Sequence, residues 1–73
     1  MLPDLNVRAA QLYLTYLGFH PGLVDGIAGQ HTLSALAQFQ TQSSLQATNV
    51  IDGDTIVQLQ TALPPVADIA NAA

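Results

Sequence analysis

His20, Asp25 and His31 bracket one glycine-rich loop, "HPGLVDGIAGQH", and imidazole and carboxylate are side chains from which a metal site is built. Nothing in their spacing demands a metal, since a loop histidine beside proline and a first-turn helix histidine are both ordinary. Gly22, Gly26 and Gly29 run G-x-x-x-G-x-x-G, which matches neither a dinucleotide fingerprint nor a phosphate loop, and no Lys follows. Asp52 and Asp54 flank Gly53, but a calcium loop closes on a bidentate Glu and the chain has no Glu. Ser34, Ser43 and Ser44 lack the oriented His–Asp pair that a nucleophile needs. A paired-carboxylate hydrolase needs one acid in an apolar pocket, whereas Asp25 reads more simply as a turn cap. The residues therefore predict no enzyme, no metal and no cofactor.

What remains is the loop as architecture, set between helices. In "PDLNVRAAQLYLTYLGF", Asp4 or Asn6 is placed to N-cap a helix running to Leu17, with Gly18 as its left-handed stop. Val7, Ala10, Leu14 and Leu17 follow the spacing of one helical face, and Asp4 and Arg8 stand four apart as an acid–base pair. Pro21-Gly22 and Asp25-Gly26 are turn pairs, and Leu23, Val24 and Ile27 give the loop an apolar underside to bury. A second helix is predicted over "HTLSALAQFQTQSS", with Leu33, Leu36 and Phe39 on its face. Leu45 and Val50 of the connector are expected in the core. A third helix follows in "IDGDTIVQLQTAL", with Asp52 as N-cap, Thr55 at its third position, and Ile56, Leu59 and Leu63 on its face. Pro64-Pro65 ends it, because a residue before proline is driven out of the helical region. "VDGIAGQHTLSAL" and "IDGDTIVQL" share apolar-Asp-Gly, then Thr, then an apolar i, i+4 pair, a faint sign of two similar corners.

Composition narrows the function further. The 73 residues carry one basic side chain, Arg8, and five acids that are all aspartate: Asp4, Asp25, Asp52, Asp54 and Asp68. The formal net charge is −4, which excludes the basic stripe that nucleic-acid binding requires. No run of about 18 apolar residues exists to span a membrane. The opening "MLPDLN" lacks the charged and apolar regions of a signal peptide. Cysteine is absent, and a chain this short buries only roughly 60% of its unfolded surface, so helix packing or a partner must stabilise it.

"VRAAQLYLTYLGFHPGLVDGIAGQHTLSALAQFQ" followed by "SLQATNVIDGDTIVQLQTAL" closely resembles the peptidoglycan-binding domain type 1 family. Val7, Arg8, Gln11, Leu14, Leu17, Gly18 and Phe19 match its first block. Pro21, Asp25, Gly26, Gly29, Thr32, Ala35, Leu36, Phe39 and Gln40 match the second, and Leu45, Thr48, Asp52 and Thr55 the third, so the likeness covers about residues 4 to 63. Three positions depart from the pattern. Ala10 replaces a large apolar residue, while Ser44 and Asn49 stand where glycine is usual. The resemblance implies an all-α fold, a small three-helix orthogonal bundle with a structured Asp-Gly/Gly loop between helices 1 and 2. It implies a domain over residues 1–63, followed by a Pro-initiated tail at 64–73 that is either disordered or docked on a partner. Gly18, Asp25, Gly26, Gly29, Thr32, Phe39, Asp52 and Thr55 form the structural motif. Gly26 and Gly29 would let the chain turn tightly, Asp25 would tie the turn to backbone donors, and Thr32 would fix the start of the second helix.

The function implied is non-catalytic binding of peptidoglycan in the bacterial cell wall, with Tyr13, Tyr16, His20, Asp25, His31 and Gln40 as candidate ligand residues. For Gln40, as for Gln11, a buried side chain bonding backbone across the core is the simpler expectation. The alternative is an assembly role, with the fold reused as a docking block in a phage virion or tail-like secretion particle. It rests on the scarcity of charge, on the apolar outer face of helix 1 (Ala9, Leu12, Tyr13, Tyr16) and on the tail. The expected place is accordingly the cell wall, facing the periplasm, or a virion.

Overall fold

In the computed structural model, which describes residues 4–63, the chain forms three α-helices: α1 (Leu5–Tyr16), α2 (Gln30–Gln42) and α3 (Gly53–Ala62). No strand occurs among the described residues. Asp4 starts α1: its Oδ1 accepts the N–H groups of Asn6 (2.8 Å) and Val7 (3.2 Å), two of the donors that a helix start leaves without partners. Asp52 does the same for α3, accepting from the Thr55 N–H at 3.0 Å. The start of α2 differs. Gly29 is its N-cap and makes no side-chain bond.

α1 and α2 end in the same way. The Phe19 N–H donates to Leu14 O and the Gly18 N–H to Thr15 O; the Leu45 N–H donates to Gln40 O and the Ser44 N–H to Thr41 O. Both are Schellman stops, which require a left-handed residue just past the helix. Gly18 takes that conformation at φ 94°, and Ser44 at φ 59°.

α1 packs against both other helices. The buried positions of α2 are Thr32, Ala35, Leu36, Phe39 and Gln40, alternating 3 and 1 in spacing, so one face of a 3.6-residue period turns inward. With Ala10, Leu14 and Leu59 the apolar members form one core. Tyr13, Leu17, Phe19, Ile51 and Ile56 pack against its edge. Phe19 meets Phe39 edge to face, with ring centroids 6.0 Å apart, a favoured aromatic geometry. Ala10 has no exposed surface, so the space left by the smaller side chain closes within the domain.

Several expectations need correction. Leu45 and Val50 are not core residues; Val50 keeps 51% of its surface in water, and the neighbouring Ile51 packs against the core instead. Leu23 and Ile27 likewise face outward, at 80% and 40% exposure, so of the loop's expected apolar underside only Val24 is half-buried. Leu33 is half-buried, and Thr32 and Ala35 take the inner face in its place.

Candidate functional site

The first connection is held by one side chain. Gln11 lies on the inner face of α1 with no exposed surface. Its Oε1 accepts the N–H groups of Asp25 (3.0 Å) and Gly26 (2.9 Å). Its Nε2 faces Thr32 Oγ1 (3.0 Å), Ile27 O (3.1 Å) and Asp25 Oδ1 (3.2 Å), so two N–H groups are shared among three acceptors. A fully buried amide is tolerated because every polar atom on it is engaged. Gly26 is held from its other end too, its carbonyl accepting the Asp4 N–H at 2.9 Å. The loop apex is thus fastened to the first turn and the middle of α1.

Asp25 makes a local turn as well, its Oδ1 accepting the Ile27 N–H at 2.9 Å. That bond, and next the Gln11 amide, hold its carboxyl below the usual carboxylate range, so it is ionised at neutral pH. Thr32 donates to Pro21 O at 2.8 Å. Its role is therefore to tie the start of the loop to α2 and Gln11, and capping of α2 falls to Gly29. Gly29 itself has φ −80°, a conformation open to any residue, so the tight turning lies at Gly22 (φ 85°) and Gly26 (φ 79°). A Cβ at Gly22 would come within 3.3 Å of His31 Cβ.

This framework leaves a shallow recess of about 220 Å³ lined by Pro21, Leu23, Asp25, Ile27 and His31 together with the first residues of α2. The candidate ligand residues do not converge on it as one set. Asp25 and His31 line it; Tyr13 and Tyr16 line a separate apolar recess with Leu12 and Leu63. His20 is exposed and lines neither. Gln40 has no exposed surface and is occupied with the second connection. Its Nε2 donates to Thr48 Oγ1 (3.2 Å) and Gln58 Oε1 (3.3 Å), and its Oε1 accepts the Thr48 N–H (3.1 Å). Sequence reasoning missed Leu23 and Ile27 as walls of the recess. Both flank turn pairs and follow no helical or strand period, the available signal that a loop apolar residue need not face the core.

Gln11 thus pins the first loop of a three-helix module, and an open recess lies over that loop. Among the described residues no group of three His, Cys, Asp or Glu side chains gathers to hold a metal ion. The family model described as "Putative peptidoglycan binding domain" matches residues 3–59, and the chain belongs to that family. No curated protein and no solved structure matches the chain. Family membership supports a peptidoglycan-binding role and association with the cell wall. No helix among the described residues is long and apolar enough to cross a membrane.

Proposed function

We propose that the chain is a non-catalytic peptidoglycan-binding module that meets the wall through the recess over residues 21–32. The observation that carries the reading is the recess itself, an open concavity with an ionised carboxylate and exposed apolar walls on a backbone fixed by Gln11. Asp25 and His31 supply its polar contacts and Leu23 and Ile27 its apolar ones. The binding domain ends at residue 63, ahead of Pro64-Pro65; the tail at 64–73 lies outside the described residues. The test is co-sedimentation of the full chain with insoluble sacculi. Saturable pelleting, weakened by His31→Ala and Leu23→Ser and left intact by Tyr16→Ala, is expected. Pelleting that all three variants leave unchanged would place the contact elsewhere.

A second reading, a protein-docking block in a larger particle such as a phage virion, draws support from the other recess. Leu12 and Tyr16 are 49% and 56% exposed there, beside Tyr13 and Leu63. A monodisperse monomer at high concentration that remains in the supernatant with any assembly fraction argues against it.

A further inference from the structure

We infer that the recess formed by Pro21, Leu23, Asp25, Ile27 and His31 takes an aliphatic ammonium group, the free amine of a diamino-acid side chain on a peptide stem. This rests on the wall-binding reading and names the chemical group recognised within it. Size is the first argument. A water molecule's share of liquid volume is about 30 Å³, and pockets for drug-sized ligands run roughly 300–1,000 Å³. At about 220 Å³ the recess is of a size to seat one extended side chain.

Charge is the second. Asp25 is the one acidic side chain lining the recess, and Arg8, the chain's single basic residue, does not line it. Both hydrogen bonds that the Asp25 carboxylate accepts among the described residues fall on Oδ1, which leaves Oδ2 for a ligand donor. The start of α2 also borders the recess and carries partial positive charge, but only about half a unit against the full charge of a carboxylate. His31 is the remaining titratable wall. A carboxylate-bearing ligand would meet Asp25 with like charge, whereas an ammonium would be paired.

Shape is the third argument. Leu23 and Ile27 stand open beside Asp25, offering apolar surface to the methylene stem that carries such an amine. Carboxylate and apolar wall together match an aminoalkyl chain better than a sugar hydroxyl array.

The experiment is a titration of the isotope-labelled full chain with Nα-acetyl-lysine amide, followed by backbone amide resonances. The same titration is run with the Nε-acetylated form, which keeps the stem and removes the charge. Saturable shifts confined to residues 22–32, with a dissociation constant on the order of millimolar, are expected. They should weaken at least tenfold for the Nε-acetylated form, for Asp25→Asn and for Leu23→Ser, with the resonance dispersion of each variant reporting its fold. An equal response to the acetylated form, shifts elsewhere or no shifts overturn the inference. Sacculi with and without acetylated amines separate the two levels. Equal pelleting with both overturns the ammonium site and leaves wall binding standing. Failure to pellet with native sacculi, alongside a positive titration, overturns wall binding and leaves the ammonium site.

Discussion

The two connections of this molecule solve one problem with different residues. Each follows a helix closed by a Schellman stop, each is crossed by a buried glutamine from the preceding helix, and each ends at a buried threonine in the third position of the next helix. Thr32 donates to Pro21 O, and Thr55 donates to Val50 O at 2.7 Å. The faint likeness of "VDGIAGQHTLSAL" to "IDGDTIVQL" has this physical content, although Asp25 turns a loop where Asp52 caps a helix. The difference lies in what the backbone must adopt. The first connection places glycine at its left-handed positions, Gly18, Gly22 and Gly26, whereas the second places Ser44 (φ 59°) and Asn49 (φ 55°) there. The first glutamine also binds more backbone. Gln11 reaches Asp25, Gly26 and Ile27 main-chain groups, and Gln40 reaches only that of Thr48. The connection that carries the recess is the more firmly held and the less strained.

Removal of the two glutamines gives the sharpest comparison. Gln11→Leu strands the Asp25 and Gly26 N–H groups, each costing about 1–3 kcal/mol if left buried and unpaired, while Ile27 O keeps the Gly29 N–H and Thr32 keeps Pro21 O. Small domains have only about 5–15 kcal/mol in total, so the variant should lose a large part of its stability and melt well below the parent by circular dichroism. Gln40→Leu releases one backbone N–H, that of the exposed Thr48, and should remain folded, with its unfolding free energy lowered by about 0.5–1.5 kcal/mol. Equal losses from the two would erase the distinction between the connections.

The left-handed positions offer a test of opposite sign. Gly22→Ala adds a Cβ against His31 at a positive φ and should destabilise by about 1–2 kcal/mol. Ser44→Gly relieves a strained position and should raise stability by about 0.5–1 kcal/mol in urea titration, and Asn49→Gly by less, because asparagine tolerates this region better. A Ser44→Gly variant no more stable than the parent would show that the serine side chain offsets its backbone strain.

The smallest effect is in acid. The Asp25 carboxyl is lowered in the folded chain, so its contribution is present above the ordinary carboxylate range and is lost as pH falls through the folded value. Asp25→Asn should flatten the acid limb of a stability–pH curve by lowering the neutral plateau slightly toward the acid value. An unchanged acid limb would assign the loss to other carboxylates.

Much of this was legible in the residues. Caps at Asp4 and Asp52, the stop at Gly18 and the 3.6-residue spacing of Leu14, Leu36, Phe39 and Leu59 are local signals, because capping and amphipathicity act within a few residues. The resemblance of residues 4–63 to the peptidoglycan-binding family, matched by its model over residues 3–59, rests on the same signals at fixed spacing. The recess was not legible. A periodic helix states which face is apolar, but Leu23, Ile27, Leu45 and Val50 lie where no period applies, and hydrophobicity alone assigned them to a core they do not join.

Three helices, their order and their caps were determined by the sequence itself, since each depends on contacts within a turn or two of the chain. Tertiary structure alone decided which glutamine atoms meet which loop atoms, that Gly22 and Gly26 rather than Gly29 make the turn, and that Tyr13 and Tyr16 stand apart from Asp25 and His31. Those outcomes join residues 14 to 21 positions apart through a buried amide. Such an amide is stable only when all its partners arrive together, a condition that no local stretch of sequence contains.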